Sequence, residues 1–354
     1  VWGAVMGEDS LLSGVYRDGE DEQEQNLRPK YLSDFQGQRA LKENLSVFIE
    51  AARRREESLD HVFLSGPPGL GKTTLAGIMA NEMGVDIKIT SAPALEKAKD
   101  LAGILTTIGE GSVFFIDEIH RLRPALEEML YVAMEDYEID WVVGQGPSAR
   151  TIRIPIPNFT LIGATTKAGQ VTGPLVSRFG ISVRMQFYTD EDIMRILRRT
   201  GKILSVEVSE SSFPLLSACS RGTPRVANRL LRRMRDYAEV LSDGIVNEEV
   251  VKEGLRRLEI DPFGLERHDR EILKTIIEKY GGGPVGAETL AISVGEAIET
   301  LEDYYEPYLI QRGFIQRTPR GRIATDIAYT HLAYESAGAK ERAKKENENE
   351  QLLF

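Results

Sequence analysis

The stretch GPPGLGKTT, Gly66 to Thr74, has the composition and spacing of a phosphate cradle. Its glycines, Gly69 among them, let backbone N–H groups turn inward toward anionic oxygens, and a helix beginning behind them adds its positive end. Lys72 can then set an ammonium on the β- and γ-phosphates of ATP, while the Thr73 hydroxyl suits Mg²⁺. Further on, VFFIDEIH, Val113 to His120, buries four apolar residues and delivers Asp117 to a strand end. There Asp117 can hold the water shell of Mg²⁺, and Glu118 can polarise a water for attack on the γ-phosphate. An acid beside the metal-binding aspartate favours hydrolysis over transfer to a small substrate. His120 reads as a structural or relay histidine and receives no role.

Three later segments could complete such a site. LIGATTKAG ends a buried strand in Thr165 and Thr166, where a hydroxyl could touch the γ-phosphate or the attacking water; an ordinary strand-end threonine reads equally well. Arg178, in GPLVSRFG, reads by itself as one half of a surface ion pair. Arg225 sits near the start of a helix in SRGTPRVANRLLRRMRD, from which it could reach back to the γ-phosphate and couple nucleotide state to domain angle.

These residues need a scaffold. HVFLS, DIKIT, VFFID, FTLIGATT and ISVRMQF are short strand-like runs, apolar on both faces and interleaved with helical stretches, which predicts a parallel sheet covered on both sides. The strands stop near Tyr188. Thr189 and Asp192 then open a helical region that continues to about Ile260. Beyond the plausible joint IDPFGL, three helices precede a strand, a turn and a strand, the order of a winged helix-turn-helix. The expected organisation is a tail over 1–26, an α/β P-loop domain over 27–188 and a small all-α lid over 189–260. A winged-helix DNA-binding domain over 261–335 and a tail over 336–354 complete it.

Composition limits the possibilities. No apolar run reaches the roughly 18–20 residues of a membrane helix, no secretory signal is visible, and one cysteine, Cys219, fits a reducing cytoplasm. The four histidines lack metal-ligand spacing. A net charge of −11 argues against indiscriminate nucleic-acid binding, so any DNA contact must be local. Such a place exists in QRGFIQRTPRGRIAT, which carries Arg312, Arg317, Arg320 and Arg322 and no acid. The third helix of the winged region instead carries Glu296, Glu299, Glu302, Asp303 and Glu306, which phosphates would repel. The wing, through Arg317, Arg320 and Arg322, is therefore the expected, sequence-neutral DNA contact; the competing reading pairs that loop with the acidic helix.

Together these motifs resemble the AAA+ superfamily of ring-forming ATPases. Over about residues 27–335 the chain is similar to one family within it, the RuvB motors of bacterial Holliday-junction branch migration. LRPKYLSDFQGQ, EEMLYVAMEDYEID, GPSARTIRI, RGTPRVANRLLRRMRDYA and EPYLIQRGFIQRTPRGR carry that resemblance alongside the segments above. It implies that Leu27 and Arg28 border the adenine with Tyr188, and that Gly69, Lys72, Thr73 and Thr74 hold phosphates and Mg²⁺. Asp117 and Glu118 become the Walker B pair, Thr166 a sensor of the γ-phosphate, and Arg225 a second sensor. Arg178 becomes an arginine finger supplied to the neighbouring subunit, with Glu135, Asp136 and Tyr137 near the nucleotide at the subunit junction. The resemblance also implies a homohexamer on double-stranded DNA, a β-hairpin over 139–157 that grips RuvA, and RuvC in the junction complex. The sequence independently reads as a hairpin there, with Trp141, Val142 and Val143 exposed on it for docking. Gln36, Val176 and Lys167 depart from the family pattern without removing a catalytic group. A clamp loader and an ATP-switched DNA-binding regulator are the rival readings. The hairpin and the acidic third helix speak against them.

Overall fold

The computed structural model describes residues 26–143 and 150–334. Both expected tails and the GQGPSA turn of the hairpin lie essentially outside those residues. The described chain divides into two compact units, one of residues 26–203 with 222–225, the other of 204–221 with 226–334. Within the first unit Arg199 donates to the carbonyl of Leu27 at 2.6 Å, which ties the helix Asp190–Ile203 to the entry of that unit.

In the first unit, β1 (Val62–Ser65), β2 (Ile87–Ser91), β3 (Val113–Asp117), β6 (Thr160–Thr165) and β7 (Ile181–Arg184) form one sheet in the order β2-β3-β6-β1-β7. All the pairings are parallel, with Val62 opposite both Ile162 and Ile181. The central strands are buried along their length because both faces are covered, which is why their sequences run apolar without alternation. Helices α1 (Arg39–Arg55), α2 (Lys72–Met83), α3 (Ala98–Leu105) and α4 (Pro124–Asp136) supply part of the cover, and α5 (Asp190–Ile203) ends the unit. Phe114, Phe159, Leu101, Leu105 and Leu130 fill one side of the core. Strand order reverses around β1, so the carboxyl ends of β1, β3 and β6 open on a crevice suited to a ligand. The antiparallel pair β4 (Glu138–Val143) and β5 (Arg150–Pro155) leaves this unit as a hairpin.

His61 pins the opposite end of the sheet. Its Nδ1 accepts the Leu161 N–H at 2.8 Å and its Nε2 faces the Met134 carbonyl at 3.2 Å, an arrangement that requires the neutral Nε2–H form. Burial pushes this imidazole below its ordinary value, against the Met134 carbonyl and Asp60. The unfolded chain therefore binds more protons than the folded one below about pH 6.5, and stability falls as the pH drops through that value. His61→Gln, which keeps an acceptor and a donor, is expected to flatten part of the decline between pH 7 and 5 in urea unfolding. An unchanged slope would remove His61 from the account.

The second unit contains α6 (Ser212–Cys219), most of α7 (Pro224–Leu241) and α8 (Glu248–Arg257), followed by α9 (Arg267–Tyr280) and α10 (Ala287–Val294). A third helix of the winged region spans residues 298–311 and widens to a π turn at Leu301–Tyr305. Strands β8 (Ile315–Thr318) and β9 (Gly321–Ala324) form the wing, and Val285 pairs with Arg322 as a third short strand. Ile272, Leu273, Ile276, Leu290, Leu309 and Phe314 make the core of this winged helix.

Candidate nucleotide site and wing

Between β1 and α2 the chain turns through Gly66, Gly69 and Gly71, all at positive φ. At Gly66 the space itself demands glycine, since a Cβ there would meet the Met185 carbonyl at 2.7 Å; at Gly69 a Cβ would press on Arg225 at 3.3 Å. The Lys72 ammonium folds back to the carbonyls of Gly66 and Pro67 at 2.8 and 3.0 Å and is 7% exposed. Burial lowers it to about 8, while Asp117 and Glu118 raise it and Arg225 lowers it further. Thr73 and Thr74 follow on the first turn of α2, both half-buried.

Asp117 and Glu118 stand at the carboxyl end of β3, where Asp117 accepts the Glu118 N–H at 2.9 Å. Glu118 takes a left-handed backbone, φ 52°, which turns the chain off the strand. Its carboxylate accepts from the Thr166 hydroxyl at 3.2 Å and lies 3.3 Å from His120 Nδ1. That nitrogen also meets the Thr165 hydroxyl at 2.9 Å. His120 had no role in the sequence reading, yet it touches the candidate catalytic carboxylate. The only signal was its spacing two residues beyond Glu118, meaningful once a 3₁₀ turn at Ile119–Arg121 folds it back.

On the other wall, the Arg225 N–H reaches the Gly69 carbonyl at 3.4 Å and Thr223 flanks the same glycine. Tyr188 is buried; its hydroxyl donates to the Leu70 carbonyl at 3.0 Å, and its ring lies where a Cβ on Gly37 would be. Leu27 is buried, and Arg28 and Gln36 are half-buried. Lys72, Asp117, Glu118, Thr166 and Arg225 thus gather at one end of the sheet.

Four expected site residues do not. Tyr137 packs against His61 and Phe159, which precede β1 and β6, so it lies at the opposite end of the sheet from its own cradle. Arg178 precedes β7 at that same end, 3.1 Å from Glu135 and 4.4 Å above the Tyr131 ring. Asp136 closes α4 between Glu135 and Tyr137. Strand rise of about 3.3 Å per residue separates this end from the cradle by about 10 Å. Glu135, Tyr137 and Arg178 therefore lie away from the cradle of their own chain, with Asp136 between the first two.

The wing also departs from expectation. Arg322 is 6% exposed, its guanidinium set against Glu306 at 2.5 Å and Glu302 at 2.6 Å, with Glu306 fully buried. Arg317 reaches the same Glu302 at 2.6 Å. Arg322 is thus an internal counter-ion of the acidic helix with little surface of its own, and Arg317 is partly committed to that role. Arg320 at the turn is exposed and, among the described residues, makes no side-chain ion pair. Trp141 on the hairpin is likewise not the exposed residue expected, because its ring packs on the core; Ile152 opposite it is exposed.

Comparison with known proteins joins these parts. Residues 27–185 match a profile described as the Holliday junction DNA helicase RuvB P-loop domain, 188–261 the RuvB AAA lid domain and 262–333 the RuvB C-terminal winged helix domain. The chain belongs to the RuvB family. A Treponema denticola protein named Holliday junction branch migration complex subunit RuvB is 66% identical over 88% of this chain and 91% of its own length. A Borreliella afzelii protein of the same name is 58% identical over 94% and 95%. The solved Thermotoga maritima RuvB Holliday junction branch migration motor superposes with a TM-score of 0.81 at 49% identity, over 88% of this chain and 99% of that one. The RuvB family thus carries here its P-loop ATPase fold, its lid and its winged helix in one chain. No helix among the described residues is long and apolar enough to cross a membrane.

Proposed function

We propose that the chain is an ATP-driven motor of Holliday-junction branch migration in recombination and repair, working as a homohexameric ring on double-stranded DNA. The observation that carries the ring is the division of candidate catalytic groups between the two ends of one sheet. Lys72, Glu118 and Thr166 stand at the cradle, while Arg178 stands at the far end, so a complete site needs a second copy. Lys72 and the backbone N–H groups of the cradle bind phosphates, and Glu118, oriented by Thr166, withdraws a proton from the attacking water. The Thr73 hydroxyl and the Asp117 carboxylate are hard oxygen donors with a single charge between them. That fits Mg²⁺, which keeps waters and phosphate oxygens in its shell. Bound there, the metal supplies charge neutralisation on the phosphates. Arg225, hydrogen-bonded through its backbone to the cradle, links nucleotide state to the lid. The hairpin over 139–157, with Ile152 exposed, is the surface for RuvA, and RuvC joins on the junction.

The direct test is a synthetic four-way junction incubated with the purified protein, ATP and Mg²⁺, with and without RuvA. ATP-dependent conversion to duplex arms, enhanced by RuvA, is the expected result. ATP-switched binding to one preferred duplex sequence with no strand exchange would overturn it in favour of a regulator.

A further inference from the structure

Consecutive residues of one loop are held by different partners. Gly222 accepts the Tyr188 N–H at 2.9 Å, and Arg225 and Thr223 lie against Gly69 of the phosphate cradle. Arg221, the residue immediately before them, is engaged elsewhere. It is 5% exposed, and its Nε donates to the Gly264 carbonyl at 3.0 Å. One Nη bonds the carboxylate of Asp269, which is 0% exposed, with Glu266 at 4.0 Å. The Tyr308 and Tyr304 rings stand 5.0 and 5.8 Å from the guanidinium. Those partners all belong to the winged region: Glu266 and Asp269 cap α9, and the tyrosines come from the helix over 298–311.

A second set of contacts spans the same boundary. A Cβ on Gly264 would lie 2.9 Å from the Cys219 carbonyl at the end of α6, and the Cys219 thiol points to the Asp261 carbonyl at 3.4 Å. Asp261 accepts the N–H groups of Phe263 and Leu265 at 2.9 Å and holds His331 at 2.7 Å. The segment 260–265, which the sequence suggested as a joint, is a fully bonded turn. Arg221 also occupies a left-handed backbone, φ 56°, where a side chain is disfavoured. A buried ion pair is weak evidence for stability, since apolar residues of equal volume often serve as well; in some proteins such pairs instead select one arrangement over others.

We infer that Arg221 is a positioning residue that clasps the winged domain to the lid, so that the loop following the nucleotide through Thr223 and Arg225 carries the DNA-binding domain with it. This rests on the motor reading above for its consequence, though not for the clasp itself. The full-length chain tests both. Val240 on α7 and Ile292 on α10 are exposed and can be replaced by cysteine and spin-labelled. Native Cys219 stays unlabelled, since it is buried and burial pushes its thiol up to about 12. The label-to-label distance is expected to be narrow and identical with ADP and with a non-hydrolysable ATP analogue. Arg221→Met should broaden it and lower junction conversion per ATP hydrolysed about tenfold, with KM for ATP unchanged and Arg221→Lys recovering most of the loss. A parent distance that shifts with nucleotide overturns the clasp, as does Arg221→Met with a narrow distance and full coupling. If Arg221→Met fails to fold, the same readouts on Glu266→Gln decide. A parent protein that converts no junctions yet keeps a nucleotide-independent distance would sink the motor reading and leave the clasp standing.

Discussion

Arg178→Ala is expected to lower ATP turnover by about 10³–10⁵-fold while leaving nucleotide affinity nearly intact. The separation follows from where the side chain lies. Arg178 shares its end of the sheet with Glu135 and Tyr131, a full strand length from Lys72, so removing it takes nothing from the cradle that binds phosphates. In the ring it would meet the charge that develops on the γ-phosphate of the next subunit, which is where an arginine finger acts. Within its own chain Arg178 lies 3.1 Å from the Glu135 carboxylate. A mixing experiment gives the decisive readout. Subunits carrying Arg178→Ala retain an intact cradle, and subunits carrying Glu118→Gln retain an intact finger. Neither population alone should turn over, but mixed rings should regain a fraction of sites set by random assembly. No regain at any ratio, with mixed rings verified by mass, would argue that Arg178 acts within its own chain or only holds the fold.

Such a division of labour could be foreseen only in part. The strands were legible because a sheet covered on both faces needs residues apolar on both faces, and Val113 to Ile116 satisfy that without ambiguity. The cradle was legible because glycine, lysine and threonine at fixed spacing have few other uses between a strand and a helix. What sequence order does not encode is which end of the sheet a residue reaches. Glu135 and Asp136 end the helix Pro124–Asp136 and Tyr137 follows it, arriving beside His61 and Phe159 rather than beside the Asp117 motif that precedes the helix. His120 was missed for the opposite reason, since a tight turn brings it back to Glu118. The segment 260–265 read as a joint between domains, and Asp261 bonds that turn from within.

The wing shows the same limit, and there the expected outcomes invert. Four arginines without a local acid read as one basic patch, yet the acids lie 15–20 residues upstream on the packed helix. Arg322→Ala would leave Glu306, which is 1% exposed, without its cation and Glu302 with Arg317 alone. Breaking a buried pair from one side costs about 3–5 kcal/mol. The melting temperature of the winged region should therefore fall by about 10 °C or more, and any DNA defect should follow that loss of fold. Arg320→Ala makes the contrasting case, because the residue is exposed at the turn and supports nothing within. Its melting temperature should not move, while the salt dependence of DNA binding should fall by about 0.9 for each phosphate left without its cation. The weakening should be equal on unrelated duplexes, as a motor passing over any sequence requires, and multiplied by the number of wings engaged at once. Melting curves and salt titrations on both variants separate the two roles. Arg322→Ala with unaltered melting and a reduced salt slope would return Arg322 to the DNA surface and leave its burial against Glu306 without consequence.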